Sequence, residues 1–306
     1  MKNYLKKVIL ILLVSFQSFA ATYEIGVTQI VEHSVLDSIR MGFEKSLKDN
    51  NISCNIDYQN AQGDMVTQQL ITQNFNTKKK DIVLAISTPS SQAAANSIKN
   101  TPILFGAVTS PKESGILSNP NVTGISDAIP PTKLLEITKE FFPSINTIGI
   151  LYNSSEKNSE MNLDILKKEA KNYNLKIEAI GVTSLSEVPS ALDRILKTSN
   201  GIYLLPDNLV VSATPLILKN SERKKIPVFS LGYDKTQIDM GVTLGISVDY
   251  AQLGYDLGLM AIEILNGTST KNIPYKTSSN FPVIINNNML SKYTSTAPEK
   301  ILDFSK

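Results

Sequence analysis

A chain of 306 residues with 30 Lys plus Arg against 28 Asp plus Glu is close to neutral. It offers no basic excess to hold nucleic acid or an anionic membrane. Its single cysteine, Cys54, excludes an internal disulfide, a CxxC redox pair and a cysteine-built zinc site, and suits a small buried hydrophobe at the start of a strand.

Residues 1–20 read as an export signal. Lys2, Lys6 and Lys7 precede an apolar run over 8–16, too short for the roughly 20 residues that span a bilayer, and Ser18-Phe19-Ala20 gives the small-x-small cleavage pattern. No cysteine follows the cut to carry a lipid, so a soluble periplasmic protein starting near Ala21 is expected. Losing three lysines takes the formal charge to 27 − 28 = −1. A mature chain of this length can bury roughly three quarters of its unfolded surface, enough for one large or two medium domains.

Strand and helix signals then alternate. Residues 23–30 form a strand, and an amphipathic helix follows through Leu36, Ile39, Phe43 and Leu47. A second strand covers 52–58, and a break at Gly63-Asp64 caps a helix with Val66, Leu70 and Ile71 on one face. The β-branched run 81–87 passes through Thr88-Pro-Ser-Ser-Gln92 into an alanine-rich helix. Thr88 is the expected N-cap, with Pro89 in the first turn and the amides of Ser90, Ser91 and Gln92 pointing out of the helix start. Such a terminus suits a carboxylate, and an ordinary capped turn fits the same residues. Strands at 103–108 and 122–126 complete the series, and Pro130-Pro131 opens a helix to about 142.

A second series repeats the cadence. Strands are expected at 147–152, 176–182, 201–205, 228–231 and 242–248, with helices at 161–173, 189–197 and 211–224. Thr101-Pro102-Ile103 matches Ile226-Pro227-Val228, and Gly124-Ile125-Ser126-Asp127 matches Gly245-Ile246-Ser247-Val248-Asp249. Two similar doubly wound α/β domains with parallel sheets follow, joined by a hinge. The expected division is an N-terminal lobe over 21–128 completed by 250–285, a C-terminal lobe over 129–249, and a tail over 286–306 packed on the lobes.

In such folds ligands sit beyond the carboxyl ends of the strands. That rule selects the loops 29–34, 88–92, 109–110, 153–155 and 206–208, which carry Glu32 and Asp207, the hydroxyls of Thr88, Ser90, Ser91, Thr109, Ser154 and Ser155, and the amides of Gln29, Gln92, Asn153 and Asn208. An amino acid needs amides and hydroxyls for its carboxylate and a buried acid for its ammonium. Asp207 is the first choice for that acid, with helix capping equally open to it. His33, the only histidine, is a polar contact or cap before it is a base. With no GxSxG elbow a hydrolase has little support, and with no clustered His, Cys or carboxylates a metal site has none. No cofactor is implied. The chain has no Trp, and Arg40, Arg194 and Arg223 all fall on helices, which counts against a sugar ligand.

Several segments carry a family resemblance: Gly26-Val-Thr-Gln-Ile-Val-Glu-His33, Asp57-Tyr-Gln-Asn-Ala-Gln-Gly-Asp64, Ser87-Thr-Pro-Ser-Ser-Gln92, Leu151-Tyr-Asn-Ser-Ser155, Pro206-Asp207-Asn208 and Asp249-Tyr250-Ala-Gln-Leu-Gly254. In order along nearly the whole mature chain, they resemble the tryptophan/tyrosine-binding type of ABC-transporter substrate-binding protein. The resemblance implies a type I periplasmic-binding-protein fold with a three-stranded hinge near 127–131 and 249–251. It also implies a monomer that closes on an aromatic amino acid and docks on a membrane permease. Thr88, Ser90, Ser91 and Gln92 would meet the ligand's backbone, and Asn153, Ser154, Asp207 and Asn208 would come from the other lobe. Ser230-Leu-Gly-Tyr-Asp234 departs from the family pattern and leaves the side-chain contact there open. Phe105, Tyr152, Tyr203 and Tyr233 are candidate walls for a ring, core packing being the stronger reading for Phe105 and Tyr203.

Overall fold

The computed structural model describes residues 22–293. The expected export signal, and the expected tail beyond 293, lie outside the described residues. The first lobe contains β1 (Tyr23–Gln29), α1 (Ser34–Asp49), β2 (Cys54–Asn60), α2 (Met65–Thr77), β3 (Ile82–Ile86), α3 (Thr88–Ser97), β4 (Ile103–Gly106) and β5 (Val122–Ser126). The second contains α4 (Thr132–Phe141), β6 (Thr147–Asn153), α5 (Lys157–Glu169), β7 (Lys176–Val182), α6 (Val188–Ile195) and β8 (Gly201–Leu204). It continues through α7 (Asn208–Ser212), α8 (Thr214–Arg223), β9 (Val228–Leu231), α9 (Lys235–Met240) and β10 (Leu244–Ile246). The chain then returns to the first lobe for α10 (Tyr250–Leu265) and β11 (Lys276–Thr277), and crosses once more for β12 (Val283–Ile285) and α11 (Asn287–Tyr293).

The two six-stranded sheets have the same order, β2-β1-β3-β4-β5-β11 and β7-β6-β8-β9-β10-β12. Equal order in both halves is the structural form of the repeat read from the sequence. All pairs are parallel except β10 with β12, an antiparallel edge in the second sheet. That pairing moves residues 283–285 out of the first lobe, to which the sequence reading assigned them.

Central strands are apolar but for Ser230 because helices cover both faces; all five residues of β3 and all four of β4, β8 and β9 are buried. Helix α1 buries Leu36, Ile39, Phe43 and Leu47, as its spacing predicts. Helix α2 does not follow its apolar spacing: Val66 is 68% exposed and Leu70 59%, while Gln68, Ile71, Thr72 and Phe75 face inward. Two of those inward residues are polar because they brace α3, Thr72 Oγ1 by donating to Ala93 O at 3.3 Å and Ser97 Oγ at 3.2 Å. Gln68 donates to Thr28 Oγ1 at 3.0 Å and accepts from Ser90 Oγ at 3.0 Å.

Candidate functional site

The lobes meet where the carboxyl ends of both sheets face each other, around a small cavity. Its first-lobe wall includes His33, Val35, Leu36, Ser87, Thr88, Ala107 and Thr109; Asn158, Pro206, Asp207, Asn208, Val211 and Gly232 come from the second lobe, with Asp127 and Tyr250 at the crossings.

The β3–α3 turn is built one residue earlier than its sequence suggests. Ser87 is the N-cap and α3 begins at Thr88. Ser87 takes φ +87°, a region that costs a non-glycine residue about 1–3 kcal/mol and recurs at ligand sites. Its amide donates to Gly106 O at 2.8 Å, and Ser91 Oγ donates to Ser87 O at 2.7 Å and to Ala85 O at 3.0 Å. The Ser91 amide is also bound to Ser87 O, so Ser91 holds the turn and does not face the cavity. Ser90 points to Gln68, and Gln92 reaches away to Ser114 O at 3.0 Å. Thr88 is the one residue of the expected 88–92 set that lines the cavity, with Ser87 beside it. The N–H of Thr88, in the first turn, has no partner within the helix, so this wall is donor-rich and positive.

Elsewhere in the first lobe, Gln29 is buried and turned to Val31 O and Asp37 Oδ1, while Glu32 is exposed. Thr109 lines the cavity, as does His33, whose Nε2 meets Asn208 Oδ1 across the cleft at 3.4 Å. Burial takes the His33 imidazole down to about 4.

In the second lobe, Asp207 is the N-cap of α7. Oδ1 accepts from Val210 N at 2.8 Å; Oδ2 accepts from Asn153 N and from Ser159 Oγ. Both oxygens are thus occupied inside the lobe. Burial, reinforced by the nearby Glu156, pushes this carboxyl up to about 7. Glu156 itself gathers Asn153 Nδ2 at 3.0 Å, Leu209 N at 3.3 Å and the backbone and side-chain N–H groups of Asn208. Asn153 and Ser155 lie instead on an outer groove with Val31, Met65, Leu185 and Leu209, and Ser154 is exposed. Tyr233 packs on β10, where a Cβ on Gly245 would lie 2.3 Å from its ring, so it belongs to the core. In the departing segment Gly232 has φ +70°, and a Cβ there would come within 2.9 Å of Tyr250 Oη, so a bare backbone is required; Asp234 caps α9.

Four important residues escaped the sequence reading: Asp127, Glu156, Asn158 and Tyr250. Asp127 directly follows β5, so the strand-end rule points to it as much as the hinge does. Its Oδ2 accepts from Tyr250 Oη at 3.1 Å, its Oδ1 is buried with no partner, and burial pushes the carboxyl up to about 6. Asn158 lies just past the loop end set at 155. Of the expected aromatic walls, Phe105 and Tyr203 are wholly buried core and Tyr152 stacks on Gly181; the ring in the cavity lining is Tyr250.

The model of the family described as ABC transporter substrate binding protein matches residues 24–306. The chain belongs to that family. A tyrosine-binding protein of Clostridioides difficile is 39% identical over 275 residues, spanning 87% of this chain and 79% of the relative. An ABC domain from Streptococcus pneumonia, solved in complex with L-Trp, superposes with TM-score 0.85 at 27% identity over 91% of this chain and 97% of that one. A ligand-free, open substrate-binding protein with adhesive properties from Clostridium difficile gives only 0.65 at 38% identity, over 92% and 97%. Similarity of sequence would rank these two the other way. This ABC substrate-binding protein as a whole thus superposes better on the L-Trp complex than on the open relative. Among the described residues no helix is long and apolar enough to cross a membrane.

Proposed function

We propose that this substrate-binding protein captures an aromatic amino acid in the interlobe cavity and delivers it to an ABC permease, as an exported monomer that performs no chemistry. The observation that carries the reading is the unpaired, buried Oδ1 of Asp127 in a cavity whose other wall is the N-terminus of α3. A negative acceptor and a positive cluster of donors in one small space suit a zwitterion. The carboxylate would take the amide and hydroxyl of Thr88 with Thr109 beside it; the ammonium would take Asp127. Val35, Leu36, Ala107, Pro206 and Val211 offer apolar contact to the side chain, and the tyrosine-binding relative and the L-Trp complex favour an aromatic one. Sugar binding is less well served, because no arginine and one aromatic ring, Tyr250, line the cavity.

A thermal-shift screen of the mature protein against the twenty amino acids and a sugar panel tests this. A ligand at 100 times its Kd stabilises the fold by about 2.7 kcal/mol. Shifts confined to Tyr, Trp or Phe are expected; shifts with sugars alone would overturn the ligand class.

A further inference from the structure

Three residues of the cavity lining carry a buried polar atom without a partner: His33 Nδ1, Asp127 Oδ1 and Asn158 Oδ1. In each case the other end of the group fixes what the free atom can do. Asn158 Nδ2 donates to Pro206 O at 2.6 Å, so its free atom is a carbonyl oxygen. Asp127 Oδ2 receives Tyr250 Oη, leaving Oδ1 as a carboxylate acceptor. For His33 the logic runs through two contacts. Asn208 Nδ2 donates to the Glu156 carboxylate, so the Asn208 atom facing His33 is the oxygen. Only an N–H at Nε2 can meet an oxygen, and a neutral imidazole with its proton on Nε2 carries a lone pair on Nδ1. Three acceptors from three separate segments, the start of α1, the crossing after β5 and the first turn of α5, thus belong to residues that line one cavity. A primary ammonium has three N–H donors.

We infer that His33 Nδ1, Asn158 Oδ1 and Asp127 Oδ1 together seat the ligand's primary ammonium, so that the cleft selects primary over secondary amines and closes only around an unprotonated His33. The inference rests on the amino-acid reading above and adds to it the number of donors required and the protonation state of the histidine. The groups facing His33 are Asp37 on α1, Asp234 at the cap of α9, Asp127 and Tyr250 in the lining, and Glu156 with Asp207 behind Asn208. The carboxylates favour imidazolium, yet burial prevails and the ring stays neutral down to about pH 4. In an open cleft the ring has its ordinary value near 6.5. Acid therefore holds the protein open. Affinity falls as pH drops through the open-form value, by about 30-fold between pH 8 and pH 5.

Titration calorimetry with L-tyrosine, L-tryptophan and L-phenylalanine, and with the Nα-methyl form of whichever binds, decides the matter at pH 8 and pH 5. The wild type is expected to bind the methylated ligand about 10- to 100-fold more weakly, since one buried acceptor loses its donor. His33→Asn keeps an oxygen acceptor near the Nδ1 position, suits an N-cap and cannot titrate; its affinity should change by less than about threefold between the two pH values. A methylated ligand that binds as well as its parent, or a His33→Asn variant that keeps the wild-type pH dependence, overturns the ammonium seat while the amino-acid reading stands. If none of the three amino acids binds at either pH, both fall together.

Discussion

Asp127 and Asp207 border the same cavity, and their partners give them different work. Both Asp207 oxygens are engaged by Val210 N, Asn153 N and Ser159 Oγ, whereas Asp127 keeps one oxygen free. Asp127→Asn should weaken aromatic amino-acid binding by about 2–5 kcal/mol, the usual cost of removing one partner of a buried charge pair, with little change in the unfolding midpoint. Asp207→Ala should do the reverse first, losing about 2–4 kcal/mol of stability through the uncapped α7 and two stranded donors. Chemical denaturation and calorimetry on the pair of variants separate the roles; equal affinity loss with no stability loss in Asp207→Ala would restore it as the ammonium partner. The raised Asp207 carboxyl also has a pH signature. A carboxyl held above its unfolded value stabilises the fold at low pH, and that contribution disappears as pH rises through the folded value, here about 7. The unliganded protein should therefore be less stable at pH 8.5 than at pH 6.5, measured as a urea midpoint, and Asp207→Asn should flatten that fall. The loops around these residues were legible in the sequence because strand ends are. Which side chain of a loop faces the cleft was not. A one-residue error in the start of α3 decides that the Ser91 amide is spent on Ser87 O while the Thr88 N–H is left free at the helix end. The Asp127–Tyr250 contact was beyond reach for another reason: 123 residues separate the two, and only the chain's second crossing brings them together.

At the scale of elements, the sequence disclosed alternation and repeat, because apolar runs and the paired Pro-containing strand starts are local signals. It misled at α2, whose exposed Val66 and Leu70 imitate a core stripe while the buried face is partly polar in order to hold Ser90 and Thr28. It was silent on how α10 returns to α1. That contact depends on missing side chains. A Cβ on Gly254 would lie 2.0 Å from Ile39 O, and one on Gly42 2.2 Å from Ala251 O. Two helix backbones touch there, and neither can yield without shifting a whole helix. Gly254→Ala should thus destabilise the protein, by about 1–3 kcal/mol of overpacking net of the helical preference for alanine, despite a propensity gain of about 1 kcal/mol. A denaturation midpoint at or above wild type would show that α10 can slide.

For the whole molecule, the orphan atoms bear on which state an unliganded protein prefers. The first and second lobes are joined by three crossings, at 127–131, 247–249 and 278–282, and across the cleft His33 meets Asn208 in a long hydrogen bond. Closing the empty cavity removes His33 Nδ1, Asp127 Oδ1 and Asn158 Oδ1 from water without giving them partners, at about 1–3 kcal/mol each. One weak cross-cleft hydrogen bond, worth about 1 kcal/mol, does not offset that sum. The unliganded ensemble should therefore lie open, and a ligand that supplies donors to those atoms should shift it closed through its differential affinity for the two states. Met65 and Leu185 stand on opposite lobes at the groove mouth, 43% and 54% exposed, and suit spin labels in a Met65→Cys, Leu185→Cys, Cys54→Ser protein. Pulsed electron resonance should give a long, broad distance distribution without ligand and a short, narrow one with a saturating aromatic amino acid. A short, narrow distribution in both samples would mean that the closed cleft tolerates its unpaired atoms. Cleft polarity would then set affinity alone and have no part in opening.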